Sequence, residues 1–407
     1  MTVITGIGVV APNGFGAKEY WAATLTGRSG IAVLDRFDTA RYPARLAGLV
    51  ADVDPAAHLP GRLLPQTDVS TRLALIAAES ALDDAGVDTS AMADYDMGIV
   101  TANASGGFEF THREFKKLWS QGPEHVSVYE SFAWFYAVNT GQISIRHGMR
   151  GPSTALVAEQ AGGLDALGQA RRTVRTGIPL VVSGGVDSAF DPWGWASHLA
   201  GGRVSLDPDP ATAYRPFDVR AAGYLPGEGG AMCVLEDAGA ARDRGARVYG
   251  EIAGYAANFD PAPGSGRPPG LRRAAESALA DAGIAPGDVD VVFADAVGVP
   301  ELDRLEAQAL REVFGAHAVP VTAPKALTGR LLSGGGVLDV VSALMSIQES
   351  VIPPTFGTTE VPAGYGVDVV LGEPRPAEVN TALVLARGRW GFNAATVIRK
   401  SPEGKLT

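Results

Sequence analysis

A ten-residue segment occurs twice in this chain, and this repetition constrains the fold more than any other feature. Residues 77–86 read AAESALDDAG and residues 274–283 read AAESALADAG, so nine of the ten positions match. In both copies the apolar residues recur at helical spacing, and a glycine follows where the helix would end. Each copy then leads through an acidic loop into an apolar run, at 96–101 and at 288–293. The sequence therefore predicts a duplicated helix–loop–strand unit.

Further apolar runs alternate with alanine-rich helical stretches. Glycine pairs open an apolar helix twice, at Gly162 and at Gly335. Strand-like runs fall at 179–183, 231–235, 381–385 and 395–398. This alternation is typical of the α/β class. We predict two similar halves, residues 1–245 and 246–407, with the first half enlarged by an aromatic insertion near 108–150.

The composition argues against several classes of function. The 407 residues are 46% hydrophobic and 19% charged, which suits a globular body with one large core or two fused cores. A net charge of -11 opposes nucleic-acid binding, because phosphate binding requires concentrated Lys and Arg. The single cysteine, Cys233, lies in an apolar stretch, and the six histidines lack metal-ligand spacing, so we expect no metal site. With no leader signal and no membrane-spanning run, we expect a cytoplasmic protein without a membrane partner.

Motifs at four places along the chain together resemble the β-ketoacyl synthases of the thiolase superfamily. They read VITGIGVVAPNG from Val3, GGLDA from Gly162, RPFD from Arg215 and GEG from Gly227. Each motif alone is a weak signal, but their order and spacing follow the family over the whole chain. The resemblance implies a duplicated thiolase-like fold, an α/β protein with five layers, α/β/α/β/α.

The same resemblance identifies replaced catalytic positions. Active enzymes carry a cysteine just before the central helix, where the helix dipole favours its thiolate. Gln160 stands there, and a carboxamide neither ionises near neutral pH nor holds an acyl thioester. The family's two histidines, which stabilise developing negative charge, correspond to Asp295 and Arg330, whereas Lys325 is retained. These are vestigial positions, and we expect no catalytic residues for condensation on this chain.

A glutamine in the nucleophile's place, together with two lost histidines, is typical of chain length factors, the non-condensing subunits of type II aromatic polyketide synthases. The family's glycine-rich C-terminal turn is altered too, since Arg389 and Trp390 add bulk there. The resemblance implies a heterodimer with a ketosynthase α subunit, or a larger heterotetramer. It also implies a substrate carried on the phosphopantetheine arm of an acyl carrier protein, with no cofactor on this chain.

An acidic carrier protein would dock on a basic patch. Two candidate patches are Arg113, Lys116 and Lys117, and Arg171, Arg172 and Arg175. Charged helix surfaces are the simpler explanation for both.

Two groups of aromatic residues have both a structural and a functional interpretation. Phe108, Thr111 and Phe115 stand at i, i+3 and i+7, so one helix face would carry all three. In an anonymous sequence they would be core residues. The resemblance instead matches them, with Trp193, to the residues that close the polyketide tunnel and set chain length. Similarly, the aromatic residues of the insertion would be core in a monomer but lie at the subunit interface in the family; they are Phe132, Trp134, Phe135 and Tyr136.

Several alternatives stay open at this point. Gln160 is either a helix-start residue whose amide satisfies local backbone groups or an aid to decarboxylation of malonyl-carrier protein, which would prime the partner. Acid/base pairs formed by Asp295 with Asp303, or by Glu301 with Glu306, rank lower, because Asp295 lacks a companion nucleophile. The family also has a structural ion pair where Asp303 and Arg304 stand. The competing functions are an autonomous acyltransferase or hydrolase and a purely structural stabiliser of the ketosynthase.

Overall fold

The computed structural model describes residues 1–51, 53–262 and 264–401. The strands are β1 (Thr2–Ala11), β2 (Gly14–Phe15), β3 (Ile31–Val33), β4 (Leu46–Gly48), β5 (Met97–Ala102), β6 (Ser153–Leu156), β7 (Leu180–Asp187), β8 (Gly229–Asp237), β9 (Gly250–Phe259), β10 (Val291–Phe293), β11 (Pro320–Thr322), β12 (Val351–Ile352), β13 (Asp368–Val369), β14 (Arg375–Pro376), β15 (Thr381–Gly388) and β16 (Phe392–Arg399). The α-helices are α1 (Ala17–Thr26), α2 (Pro55–His58), α3 (Val69–Ala85), α4 (Phe108–Gln121), α5 (Glu130–Ala133), α6 (Val138–His147), α7 (Gly162–Arg175), α8 (Pro192–Leu199), α9 (Ala238–Asp243), α10 (Leu271–Ala282), α11 (Pro300–Phe314) and α12 (Ser333–Glu349). Short 3₁₀ helices lie at Leu64–Gln66, Thr89–Ala91, Asp94–Asp96, Pro123–His125, Glu159–Ala161, Pro286–Asp288, Pro324–Leu327, Ala363–Tyr365 and Arg389–Gly391.

The strand order repeats between the two halves. The first half runs β1–β8–β7–β5–β6 and the second runs β9–β16–β15–β10–β11, with β13 added at the far edge. In both halves the first two pairings are antiparallel and the next two are parallel. A short antiparallel pairing of β1 with β9 joins the halves. The duplication seen in one helix thus extends to the whole sheet.

Alternating side chains on the strands define the layers. On β7, Val181 packs with the central helices α7 and α12, whereas Leu180 and Val182 face α3 on the other side. On β15, Val384 faces the central helices and Leu385 faces α10. Each sheet is therefore buried on both faces, as its apolar strands require. The order α3, sheet, α7 with α12, sheet, α10 gives the five layers, and the predicted fold class is confirmed.

The repeated alanines allow the outer helices to approach the sheets closely. A Cβ added to Gly6 of β1 would lie 2.2 Å from the carbonyl oxygen of Ala81, and a Cβ on Gly254 of β9 would lie 2.2 Å from that of Ala278. Ala81 and Ala278 are the fifth residues of the two repeat copies. A side chain at either glycine would force the helix away from its sheet. The sequence repeat therefore records one helix-on-sheet contact that is made twice.

The first half is longer because α4, α5 and α6 are inserted between β5 and β6. The two halves are connected after α9, which ends at Asp243, and before β9, which begins at Gly250. The predicted boundary between residues 245 and 246 falls in this connection, and we propose it as the division of the chain. None of the helices in the described part of the chain has the length and apolar character needed to cross a membrane.

Candidate functional site

Gln160 lies in the 3₁₀ turn Glu159–Ala161 that leads into α7. Glu159 has a φ of 49°, and Leu332, at the start of α12, has a φ of 50°. Both central helices therefore begin after a strained residue in the left-handed region. The Glu159 carboxylate fixes this turn by accepting hydrogen bonds from the backbone N–H groups of Gln160 and Arg389, each at 2.9 Å.

The Gln160 carboxamide is wedged between the first turns of the two central helices. A Cβ added to Gly335 of α12 would lie 2.1 Å from its Nε2 atom, so only glycine fits there. The side chain is 1% exposed, and neither Nε2 nor Oε1 has a hydrogen-bond partner among the described residues. Gln160 therefore stands at the start of the helix, but its amide does not satisfy nearby backbone groups among the described residues.

The two former histidine positions are joined by an ion pair. Arg330 Nη2 lies 3.0 Å from Asp295 Oδ1, and Arg330 Nη1 donates to the Asp295 carbonyl oxygen at 2.9 Å. Arg387 completes the cluster, since its Nε lies 3.2 Å from Asp295 Oδ2 and its Nη2 lies 2.9 Å from Glu306 Oε2. The cluster thus contains two cations and two anions and is electrically balanced.

The balance keeps these groups ionised. Burial opposes ionisation of Asp295, but the charges of Arg330 and Arg387 outweigh it and hold its pKa below the ordinary value. Burial likewise opposes the charge on Arg330, but Asp295, Tyr214 and Glu159 together outweigh it and raise the Arg330 pKa. The Arg330 Nη2 atom also donates to the Arg387 carbonyl oxygen at 3.0 Å. Since these donors already have partners, they are not poised to stabilise a substrate oxyanion.

The acidic residues of this region have structural roles. Glu306 accepts hydrogen bonds from the backbone N–H groups of Asp295 and Ala296, both at 2.8 Å. Asp303 accepts from the backbone N–H of Phe217 at 2.8 Å and from that of Gly298 at 2.9 Å.

The expectation of an ion pair between Asp303 and Arg304 is wrong. Arg304 instead pairs with Glu301 at the surface, at 2.8 Å. Glu301 therefore lies at the surface, apart from the buried Glu306. Both Asp303 carboxylate oxygens accept hydrogen bonds from backbone N–H groups. Neither carboxylate pair forms an acid/base dyad.

The retained Lys325 stabilises the architecture of the site. Its Nζ lies 2.7 Å from Asp339 Oδ2 on α12 and donates to the carbonyl oxygen of Ala294 after β10. Burial raises the pKa of Asp339 to about 6, although the Lys325 charge opposes that rise. The lysine therefore ties the Pro324–Leu327 turn to the central helix and to the strand end that carries Asp295.

The structure brings together three of the four proposed gate residues. Trp193 stands beside Phe108 and Phe115, with ring centroids 4.8 Å and 6.1 Å apart, respectively. Thr111 is buried one turn along the same helix, α4. Trp193 is 45% exposed in this chain alone. The aromatic cluster is observed, whereas its role in limiting chain length stays a prediction.

One further pair of residues positions this cluster and was missed by the sequence analysis. Asp191 is the N-cap of α8 and accepts hydrogen bonds from the backbone N–H groups of Trp193 and Gly194. Its carboxylate also pairs with His112 on α4. The pair locks α8 against α4 and so holds Trp193 beside the two phenylalanines. Asp before Pro is a helix N-cap signal, but its pairing with His112 depends on the tertiary fold.

A groove of about 410 Å³ connects the aromatic cluster with the vestigial site. Phe108 lines one part of it, and Arg330, Arg389 and Trp390 line another. Trp390 has a φ of 72° and is 88% exposed, so the altered C-terminal turn places its ring at the surface. A groove of this volume is in the range of small-molecule sites.

The aromatic insertion is exposed on this chain. Trp134, Phe135 and Tyr136 are 48%, 47% and 39% exposed, so the core alternative does not hold for these three. Phe132 is half-buried and packs on Tyr129, with ring centroids 5.9 Å apart. A contiguous aromatic surface of this kind is typical of a subunit interface, and that assignment stays a prediction.

Each of the two basic patches is only partly accessible. Arg171 is buried, with Nη1 2.5 Å from Asp281 Oδ2, so it cannot serve a docking surface. Arg113 and Lys116 are exposed, whereas Lys117 is half-buried and pairs with Glu114 at 2.8 Å. Arg172 and Arg175 are exposed, so each patch keeps two exposed cations and both stay candidates.

The duplicated five-layer body defines a protein of the ketosynthase fold. Gln160 stands at the turn into its central helix, and the ion pair of Asp295 with Arg330 stands where the resemblance places two histidines. Comparison with protein families agrees with this class. The β-ketoacyl synthase N-terminal domain matches residues 2–241 and the C-terminal domain matches residues 249–359. The chain therefore belongs to the β-ketoacyl synthase family.

Individual relatives narrow the comparison. The chain is 69% identical over 399 residues to the actinorhodin polyketide putative beta-ketoacyl synthase 2 of Streptomyces coelicolor, covering 98% of both chains. The ishigamide ketosynthase/chain length factor superposes with a TM-score of 0.90 at 27% identity, covering 98% of this chain and 99% of that one. AntDE:AntF, a type II acyl-carrier protein in complex with its ketosynthase bound to the hexaketide, superposes with a TM-score of 0.86 at 25% identity. The match covers 98% of this chain and 99% of that one. The resemblance to chain length factors inferred from the sequence is confirmed.

Proposed function

We propose that this chain is the non-condensing subunit of a ketosynthase/chain length factor heterodimer, which shapes the polyketide tunnel and sets the length of the poly-β-ketone. The aromatic cluster of Phe108, Phe115 and Trp193 beside the groove is the observation that carries the proposal. Gln160 stands where the family's nucleophile would be, and its carboxamide cannot hold an acyl thioester.

The cluster limits length by volume. The growing chain is returned from the carrier protein to the partner ketosynthase after each extension, and its tip then reaches two carbons further. When the tip meets the rings of the cluster, further extension requires displacing side chains packed on both α4 and α8. The His112–Asp191 pair keeps these helices together, so the rings of the cluster stay in place against the polyketide tip. The tunnel length therefore determines how many extensions precede release or cyclisation.

The proposed partners follow from the exposed surfaces and the relatives. The aromatic surface of Trp134, Phe135 and Tyr136 suits an obligate contact with the ketosynthase α subunit, and a heterotetramer is the larger alternative. The ketosynthase/chain length factor pair among the similar structures supports such an assembly, and the carrier-protein complex supports a substrate carried on a phosphopantetheine arm. A cytoplasmic location is part of this proposal.

The unpaired Gln160 carboxamide favours a second function, which is help in priming. Decarboxylation of a malonyl thioester breaks a carbon–carbon bond, releases CO₂ and leaves an enolate oxygen, which an amide N–H would stabilise. In the heterodimer, Gln160→Ala is expected to slow CO₂ release from malonyl-carrier protein, while elongation from an acetyl-primed ketosynthase continues at the normal rate. An unchanged rate of CO₂ release would rule out this role of Gln160 in priming.

The test of the main proposal is product mass after co-expression with the ketosynthase. Phe108→Ala, alone or with Phe115→Ala, is expected to lengthen the major product by one or more two-carbon units, because each change removes a ring from the wall. Thr111→Leu is expected to shorten it. Gln121→Ala, an exposed change on the same helix outside the basic patch, serves as the control with the parental product.

Each contrary result is distinct. A stable, active Phe108→Ala heterodimer with parental products places the gate elsewhere. Product length that ignores every change in the cluster favours a purely structural stabiliser of the ketosynthase. Condensed product from the purified chain without its partner favours an autonomous acyltransferase.

A further inference from the structure

The groove beside Phe108 contains a buried imidazole whose Nε2 atom has no protein partner. His198 lies on α8 and is 9% exposed, and its Nε2 has no hydrogen-bond partner among the described residues. The ring stacks on Phe190 at a centroid distance of 5.6 Å and meets Trp195 edge-on at 6.1 Å. The imidazole is therefore held in one orientation at the groove wall. A buried polar nitrogen left without a partner is costly unless a ligand or water supplies one.

Arg389 lines the same groove and has an unused donor of its own. Within the described chain its buried Nη2 atom lacks a hydrogen-bond partner. A Cβ added to Gly201 would lie 1.3 Å from this atom, so the guanidinium occupies space that only glycine leaves free after α8. The backbone N–H of Arg389 is fixed by Glu159 at 2.9 Å.

Other polar groups of the groove already have partners. The Ser105 hydroxyl donates to Asp187 at 2.6 Å, and the Ser197 hydroxyl donates to the Trp193 carbonyl oxygen at 3.1 Å. The Arg330 guanidinium is paired with Asp295. Two buried nitrogen atoms of the groove residues, one on His198 and one on Arg389, thus have no partner among the described residues.

We propose that His198 and Arg389 recognise a 1,3-dicarbonyl segment of the growing poly-β-ketone, so that this groove distinguishes a ketide chain from an alkyl chain. This inference rests on the proposed function and names the chemical group that the side chains of the groove bind. Two carbonyl groups separated by one carbon can engage a guanidinium donor and an imidazole nitrogen at the same time. The enol form adds an O–H donor, which a neutral imidazole nitrogen can accept.

The electrostatics of the pair suit this ligand. Burial, reinforced by the nearby Arg389 charge, lowers the pKa of His198 to about 4, so the ring is neutral near pH 7. A neutral ring can donate or accept at Nε2 according to its tautomer. An alkyl chain would leave both nitrogens unpaired, and the resulting preference for a dicarbonyl ligand is roughly tenfold in affinity.

The test compares two small probes on the intact heterodimer. The probes are 2,4-nonanedione and 2-nonanone, which have the same carbon chain and differ by one carbonyl group. Calorimetric titration of the parental heterodimer is expected to show a roughly tenfold preference for the diketone. His198→Phe, which keeps the aromatic packing, and Arg389→Met are each expected to remove most of this preference.

A matched control separates this site from the rest of the assembly. His147 lies at the end of α6 and also has an unpartnered Nε2 within the described residues. His147→Phe should keep the full preference, and binding in the partner's part of the tunnel should be the same in every variant. Equal affinity for both probes, or a preference that survives both groove changes, overturns the proposal. Either result leaves the Phe108 product-length test unaffected, so the two proposals can fail separately.

Discussion

Replacing Asp295 by asparagine removes the central charge of the cluster that occupies the former histidine positions. The carboxylate contacts Arg330 Nη2 at 3.0 Å, Arg387 Nε at 3.2 Å and the Arg387 backbone N–H at 2.9 Å. Asp295 is 0% exposed and Arg330 is 6% exposed. After the change, Arg330 loses its carboxylate partner, whereas Arg387 keeps Glu306.

The magnitude follows from this uncompensated charge. Breaking a buried ion pair by removing one partner costs about 3–5 kcal/mol, and the lower end applies because Arg387 keeps Glu306. A local destabilisation of about 3 kcal/mol corresponds to roughly a hundredfold loss of protection from amide exchange. Asp295→Asn combined with Arg330→Met should cost less than the sum of the single changes, because the pair is then removed as a unit.

The assay is hydrogen exchange of the heterodimer, followed by mass spectrometry of peptides covering 291–314 and 381–392. Faster exchange should be confined to these segments in the Asp295→Asn protein. Arg304→Met is the control, because it breaks the exposed pair with Glu301, which is worth no more than about 1 kcal/mol. If Asp295→Asn exchanges no faster than this control, the cluster does not stabilise the site and our reasoning is refuted.

Three further predictions follow from the site. The native chain should gain no acyl adduct by intact mass, because Gln160 stands where the thiol would be. Gln160→Cys should still gain no condensing activity, because both histidine positions stay replaced; robust condensation by that variant would contradict the assignment of the second half. The isolated chain should aggregate, whereas co-expression with the ketosynthase should give a one-to-one heterodimer by light scattering. Trp134→Ser with Phe135→Ser should weaken that heterodimer, and a soluble, stable monomer of the native chain argues against the interface. His198 has a folded pKa lowered to about 4 from 6.5, so the unfolded chain takes up this proton first and about 3 kcal/mol of stability is lost as pH falls from 6.5 to 4. His198→Phe should flatten that part of the pH profile of thermal unfolding, and equal slopes would exclude a buried neutral imidazole.

The sequence alone determined the features that depend on local pattern. Helical spacing, the two closing glycines and the matching decapeptides were sufficient to predict the duplication, because helix periodicity is a property of neighbouring residues. The replacement of three catalytic groups could also be predicted, since it needs only the identity of the residue at each family position. The helix that carries Phe108 and Phe115 was predictable for the same reason.

Only the tertiary structure decided which side chains share the site. Asp295 and Arg330 are 35 positions apart, and Arg387, which sequence reasoning missed, is 92 positions from Asp295. They meet because β11, β10 and β15 are neighbouring parallel strands whose carboxyl ends lie side by side. His198 and Arg389 come together in the same way, at the groove between α8 and the altered C-terminal turn. Helical and strand periodicity report which face of an element is apolar, but contacts between distant side chains are fixed only when the five layers pack, and the groove exists only after that packing.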